Sequence, residues 1–500
     1  MGSRDDRRKI KGEDVMANAL DGLKPENVWK YFAEIAKIPR GSGNEKAVAA
    51  YVVATAKNLG LEVQQDKFMN VVVHKPASPG RENRPMICLQ GHLDMVCEKN
   101  KETVHDFLKD PIELVRKGNF LMANGTTLGA DNGVAVASNL AIMADKSLEH
   151  GPLEFLFTVD EETGLTGASN LKSGFLKSKT MMNLDSEEEG ALYVGCSGGR
   201  NTIASWVTKY DRVPAKSVSA KVIVRKLKGG HSGLEIDKGR GNSIKILNRV
   251  LLALTNDGAR IAHIDGGNKS NAIPREADAL VYVPAKSLKK AQATVAKYNE
   301  ICRAELSTVD PDLEIVLEQV APGKNAKVFK KDFHATLLKT ISALPHGVLK
   351  MSADIPGLVE TSTNVAIIRT EKGRVVITTS QRSSVASEII EALHTVASIV
   401  ELGGAKPAHT EGYPGWKPNL DSPILKLAKS TYKSMTGKDP AVKAIHAGLE
   451  CGIIGEKYPG MDMVSFGPTL EGVHSPDEKI HIDTVEKFWN YLLAILKNVN

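Results

Sequence analysis

Apolar and β-branched residues gather in short runs along the chain, and several runs stop at a carboxylate or an imidazole. Residues 155–159 (FLFTV) read as a buried strand that ends in Asp160, Glu161 and Glu162, then turns at Thr163 and Gly164. Residues 86–91 (MICLQG) run into His92, Leu93 and Asp94, and residues 180–184 (TMMNL) end at Asp185. Before them, Val28, Tyr31, Phe32, Ile35 and Ala36 recur at helix spacing, stopped by Pro39, Arg40 and Gly41. Ser42 and Glu45 have the spacing of a capping box for a second helix, which Gly60 closes. Strand and helix patterns alternate to about Gly199, which favours a mainly parallel sheet covered on both faces.

After Gly199 the texture changes. Residues 217–228 read as a strand with a polar face, 242–254 as a helix, then strands near Ile261 and at 279–283, a helix over 286–306 and a strand at 313–320. This β-α-β-β-α-β order is that of a ferredoxin-like sandwich. A looser second round follows: a helix over 331–344, a hairpin of 363–369 with 374–381, and an amphipathic helix over 385–400. From Pro418 the α/β texture returns. The predicted fold is therefore α/β: a doubly wound mixed sheet, interrupted by an inserted α+β domain of two ferredoxin-like modules. The expected boundaries are an N-terminal arm at 1–24, a first core segment at 25–205, the insertion at 206–400 and a second core segment at 401–500.

The length of 500 residues calls for more than one core. Lys plus Arg exceed Asp plus Glu by 65 to 59, and Arg4, Arg7, Arg8, Lys9 and Lys11 near the start outnumber Asp5 and Asp6 by three of those six charges. The remainder is nearly balanced, so no basic groove for nucleic acid is expected. No apolar run approaches the ~18 residues that cross a bilayer, and the start lacks the apolar region of a secretory signal. Cys88, Cys97, Cys196, Cys302 and Cys451 form an odd, unpatterned set without C-x-x-C, which argues for reduced thiols and a cytoplasmic setting.

Like charges crowded at strand ends repel unless a cation holds them. His92 supplies one imidazole. Asp94, two residues on, faces the same side of the strand and suits the role of holding the other ring nitrogen. Asp131, in the turn 129–133 (GADNG), has two oxygens with which to bridge two metals; Asp185 and Glu162 would complete one site each, and His474, in 472–476 (GVHSP), the second. Imidazole with carboxylate suits zinc, with manganese or cobalt as substitutes. Glu161 and Glu162 are adjacent, and the bend after them can aim one at a metal and the other at a water, separating a ligand from a proton shuttle. Glu187, Glu188 and Glu189 read as a solvated face, and Asp160 as a turn cap.

Taken in order, 90–96 (QGHLDMV), 127–133 (TLGADNG), 160–164 (DEETG), 183–186 (NLDS), 229–233 (GGHSG), 446–452 (HAGLECG), 466–469 (FGPT) and 471–476 (EGVHSP) resemble the co-catalytic di-zinc exopeptidases. That superfamily includes carboxypeptidase G, aminoacylase and the carnosinases, and within it the chain looks most like the aminoacyl-histidine (Xaa-His) dipeptidases. The resemblance covers nearly the whole chain from about residue 25. It assigns His92, Asp131 and Asp185 to one zinc, Asp131, Glu162 and His474 to the other, Glu161 to the role of base and Asp94 to orientation. It implies that the insertion is a lid, which family members often use to pair as homodimers, and that the substrate is a dipeptide ending in histidine, carnosine-type substrates included. In the lid, His231 is the expected oxyanion donor, Asn271 the partner of the substrate carbonyl, and Arg369 the fork for its free carboxylate. His446 and Glu450 are expected to line the pocket, with roles that the matching leaves open.

The same metal pair would serve an N-acyl amino-acid deacylase or a tripeptidase. Residues 195–199 (GCSGG) also fit the elbow of a serine hydrolase around Ser197, but an elbow leads into a helix and residues 200–203 read as turn into strand. A non-catalytic metal-binding relative would have lost a ligand or the base, and here every expected group is present.

Overall fold

The computed structural model describes residues 19–500. Residues 1–18 of the expected N-terminal arm lie outside the described residues; of the remainder of 1–24, the apolar Ala19 and Leu23 are buried. The chain divides into two compact units. One comprises the chain up to Gly195 together with Pro418–Ala444 and Glu450–Asn500; the other comprises Cys196–Lys417 and Ile445–Leu449.

The first unit is built on an eight-stranded mixed sheet in the order Glu62–Gln65, Val71–Lys75, Leu153–Thr158, Ile87–His92, Thr180–Asn183, Asp462–Ser465, Ala191–Cys196 and Ala441–Ile445. The third to sixth of these are mutually parallel. Leu153–Thr158 and Ile87–His92 are buried at every residue, the continuous apolar texture of strands covered on both faces. His92 pairs in register with Thr158, and Gln90 with Asn183, so the carboxyl ends of the strands stop at one level. In the helix Glu26–Ala36 the buried stripe includes Trp29 in place of the expected Tyr31, and the indole N–H donates to the Lys24 carbonyl at 3.0 Å. The expected capping box at Ser42 and Glu45 does not form. The Ser42 hydroxyl donates to Asp94 at 2.8 Å, and Glu45 accepts from the N–H groups of Gly43 and Asp160 at 2.9 and 3.0 Å. Tertiary donors and acceptors outcompete the local motif.

The second unit is a nine-stranded antiparallel sheet. Its order is Glu314–Gln319, Ser217–Arg225, Ala277–Pro284, Arg260–Gly266, Val359–Glu371, Arg374–Ser383, Gly198–Val207 and Lys406–His409, with Gly347–Met351 beside Val359–Glu371. The first four strands, with helices Ser243–Asn256 and Leu288–Glu305, make one ferredoxin-like module. The last four, with Lys331–Ala343 and Ala386–Leu402, make another. Gly266 meets Ile368 where they join. The unit is wider than the expected 206–400 because Gly198–Val207 pairs along its whole length with Arg374–Ser383 and also with Lys406–His409; these are the first and last strands of the second module.

Candidate metal centre

The centre lies in the first unit, beyond the carboxyl ends of the parallel strands, where open α/β sheets place their ligands. His92 is 1% exposed at the end of its strand. Its Nδ1 is 3.3 Å from Asp94 Oδ1, which leaves Nε2 to face Asp131 Oδ1 at 3.2 Å and Asp185 Oδ1 at 3.3 Å. Asp131 stands in the first turn of the helix Ala130–Ala144 with non-helical angles (φ −82°, ψ 108°), which turn its carboxylate away from the helix path. Its other oxygen is 3.2 Å from His474 Nε2, and the same nitrogen is 2.9 Å from Glu162 Oε2. His474 lies between the paired strands Leu470–Glu471 and Lys479–His481 in left-handed backbone (φ 61°), a conformation seldom adopted by a non-glycine residue.

Two trios therefore form, His92 with Asp131 and Asp185, and Asp131 with Glu162 and His474, each with its ligand atoms within 4.8 Å of one another. Two donors on one tetrahedral zinc, each ~2.0–2.1 Å from the ion, stand about 3.3 Å apart, and the spacings here have that size. Among the described residues, Glu162 Oε1 and Asp185 Oδ1 are buried without a hydrogen-bond partner, as oxygens intended for a cation would be. His92, Glu161 and Glu162 pass the same spacing test, so spacing alone also offers Glu161 as a ligand.

Apart from the hold of Asp94 on His92, the supports of these side chains escape a reading of the sequence. Asp94, fully buried, accepts from the N–H groups of Glu161 and Glu162 at 3.1 and 3.2 Å, which pins the single helical turn Glu161–Gly164. Glu478 accepts from the N–H groups of Leu128, Gly129 and Ala130 at 2.7, 2.9 and 2.7 Å and so holds the loop before Asp131. Buried Arg40 donates to the carbonyls of Leu93 and Asp94 at 3.0 and 2.9 Å and to that of Gly129, tying the two ligand-bearing segments together. A lone arginine in an Ile-Pro-Arg-Gly turn gives no local sign of this. Asp160 stands at the start of the turn Glu161–Gly164 but, against expectation, its side chain caps none of the turn's N–H groups; its carboxylate accepts from the hydroxyls of Thr163 and Thr166 instead. Glu188 is held by Lys443 and Glu189 by Tyr432, but Glu187 is not simply part of a solvated face: burial, then Asp131 and Asp185, push its carboxyl up to about 8.

The electrostatics are those of an anion-rich cleft. Hydrogen bonds to Asp131 and Glu162 push His474 up to about 11. Burial raises the Asp185 carboxyl to about 7, with Asp131 and Glu162 adding to it against the pull of His92. Burial likewise pushes Glu161 well above the carboxylate range, opposed by His92 and reinforced by Asp185, Glu450 and Glu162. For Asp94 burial is outweighed by His92 and the hydrogen bonds it accepts, which hold it at about 2. Divalent cations would relieve this crowding, and the residues present fit them.

In the second unit His231, Asn271 and Arg369 border one groove of about 950 Å³. His231 Nδ1 accepts from the N–H groups of Gly233 and Leu234 at 3.2 and 3.0 Å, so the ring proton sits on Nε2. Burial and then Arg382 hold His231 down at about 4, which makes it neutral near pH 7. Asn271 is exposed. Arg369 is committed to Asp265 and to the carbonyls of Gly266, Ile368 and Gly267, and has no open fork to offer a ligand. His446 is buried, its Nε2 2.7 Å from the Ser362 hydroxyl, and burial followed by Arg382 holds it at about 3. Arg382, missed in the sequence, is 6% exposed, donates to the Tyr413 hydroxyl at 2.8 Å and has no carboxylate partner among the described residues. Glu450 belongs to the first unit and is fully buried, so it does not line a pocket. Ser197 leads into the ten-residue strand Gly198–Val207 rather than a helix, and its hydroxyl has no hydrogen-bond partner among the described residues, which removes the serine-hydrolase reading.

A family model described as peptidase family M20/M25/M40 matches residues 88–498. The chain is 42% identical over 481 residues to the cytosol non-specific dipeptidase of Escherichia coli (strain K12), covering 96% of this chain and 99% of that protein. The crystal structure of aminoacylhistidine dipeptidase from Vibrio alginolyticus matches with a TM-score of 0.88 at 41% identity, over 96% of this chain and 98% of that one. Aminopeptidase PepT from Bacillus cereus shares the fold at a TM-score of 0.55 and 17% identity, over 95% of this chain and 99% of that one.

Proposed function

The chain belongs to peptidase family M20/M25/M40, and from that premise we propose that it is a metal-dependent dipeptidase acting on Xaa-His dipeptides, carnosine-type substrates included. The observation that carries the reading is the pair of ligand trios sharing Asp131, with Glu161 beside them. His92, Asp131 and Asp185 would hold one cation, and Asp131, Glu162 and His474 the other. The imidazole–carboxylate set suits zinc, with manganese or cobalt as substitutes; bound there, the cations supply Lewis acidity and lower the pKa of water.

The protein's own groups do the rest. Asp94 orients His92 so that Nε2 is the coordinating nitrogen. Glu161 takes the proton of the attacking water and returns it to the leaving amine, a task suited to a carboxylate whose proton affinity is raised by burial. His231, neutral with its proton on Nε2, donates to the oxyanion, a contact worth about 3–4 kcal/mol where such donors have been removed. Asn271 is assigned the substrate carbonyl. The free carboxylate is assigned to Arg382 rather than Arg369, because only Arg382 lacks an acidic partner. His446, also neutral, is assigned to the wall of the substrate site.

A cytoplasmic location is proposed because the E. coli relative is a cytosol dipeptidase; among the described residues no helix is long and apolar enough to cross a membrane. A homodimer through the lid is proposed on the open edge of Glu314–Gln319, which among the described residues pairs only with Ser217–Arg225. Neither nucleic acid nor membrane is proposed as a partner. The reading is tested by a panel of dipeptides, an N-acyl amino acid and a tripeptide, each assayed with zinc, manganese and cobalt and with product identity recorded. Cleavage of Xaa-His dipeptides at the highest kcat/KM is expected. Preference for the acyl amino acid or tripeptide, or turnover that survives complete metal removal, overturns it.

A further inference from the structure

Beneath the ligand layer lies a second row of polar side chains that the proposed reaction does not use. Gln90 precedes His92 by two residues and Asn183 precedes Asp185 by two. In a strand such pairs face the same side. Gln90 and Asn183 are fully buried, as are Thr158 and Ser465 on the flanking strands. Buried polar groups of this kind are costly unless joined to one another.

They are joined. Glu450, at the start of the helix Glu450–Lys457 and 0% exposed, accepts through Oε2 from Gln90 Nε2 and from the Thr158 hydroxyl, both at 2.6 Å. The Gln90 amide also donates to the Thr158 hydroxyl at 3.1 Å. On its other side Gln90 accepts from the Asn183 amide, Asn183 accepts from the Ser465 hydroxyl, and Ser465 lies 2.6 Å from the hydroxyl of Ser186, the neighbour of Asp185. One chain of hydrogen bonds thus crosses all four parallel strands one step below the ligands.

We propose that Glu450 is a positioning residue, the anchor of a lattice of Gln90, Thr158, Asn183 and Ser465 that sets the spacing of His92 and Asp185 and so tunes the affinity of the cation these two would hold. Asp131 and His474 are outside the lattice, since Glu478 and Arg40 hold the loop before Asp131 and His474 lies in a separate hairpin. The two sites should therefore respond unequally. The inference rests on the metal-binding reading, and wild-type protein separates the two: if it takes up no zinc, that reading fails first.

The experiment is a titration of metal-free protein with zinc against a chromophoric chelator, with thermal melting recorded alongside. Wild type should show two binding steps. Glu450→Ala should weaken one step by about 10–100-fold, the range seen when outer partners of ligands are removed, and leave the other unchanged. Glu450→Gln, whose amide oxygen can accept from Gln90 and Thr158 as the carboxylate does, should restore wild-type affinity. Should Glu450→Ala not fold, Asn183→Ala removes the next link and should give the same one-step loss. Two unchanged steps in the alanine variant, an equal loss of both together with the melting temperature, or failure of the glutamine variant to rescue overturns the proposal.

Discussion

His474 in the first unit and His231 in the second are imidazoles of the same intrinsic basicity, and their surroundings move them in opposite directions. Hydrogen bonds to Asp131 and Glu162 push His474 up to about 11, while burial and then Arg382 hold His231 down at about 4. His446 follows His231, at about 3. The first unit concentrates carboxylates at the ends of parallel strands and suits cations. The second concentrates a buried arginine and neutral hydrogen-bond donors, and suits the carbonyl and carboxylate of a substrate. One residue type serves both because its neighbours, not its own chemistry, decide its charge.

The contrast can be broken most severely on the anionic side. Glu161→Gln should reduce kcat by about 10²–10⁴, measured on the best dipeptide of the panel, because general acid–base transfer is lost while the ligand set remains. Next, His231→Ala should lower kcat by about 10²–10³ without changing metal content; an effect confined to KM would remove the oxyanion role. Arg382→Lys should raise KM by about tenfold, ~1.4 kcal/mol, since a point charge cannot reproduce a guanidinium fork, whereas Arg369→Lys should leave KM near wild type. The opposite ranking would restore Arg369 as the clamp.

The smallest effect is on pH. His231 and His446 have folded values below their ordinary 6.5, so their stabilising contribution is full above that value and is lost as pH falls through about 4 and about 3. Between pH 7 and pH 5 hydrogen exchange should quicken around Gly230–His231 and Ser362, and His446→Gln should blunt the change. Segments held by Asp94, whose carboxyl lies at about 2, should keep their protection over that window.

The ligand side chains were legible because an apolar run that stops at a charged residue is a local pattern: His92, Asp185 and Glu162 each follow one within four residues. Of their supports Asp94 was legible beside His92, but Arg40 and Glu478 were not, because Arg40 acts on carbonyls 53 and 89 positions away and Glu478 on N–H groups 348–350 positions back. Ser42 and Glu45 misled for the converse reason. They match a local cap but are drawn away by Asp94 and Asp160. Residues 200–203 read as turn into strand, whereas the strand already begins at Gly198; Gly198 and Gly199 carry no side chain to mark it, and the tyrosine ring and backbone near them fill that space instead. In the second unit the resemblance offers Arg369 as the carboxylate fork, and only the structure shows that Asp265 and three carbonyls occupy it.

The central claim is that five side chains, His92, Asp131, Glu162, Asp185 and His474, grip two divalent ions while Glu161 stays off them. Elemental analysis of purified wild type and Glu161→Gln tests it most directly. Two ions per chain in both proteins is the predicted result. Two in wild type but one in the variant would make Glu161 a ligand, and fewer than two in wild type would contradict the shared role of Asp131.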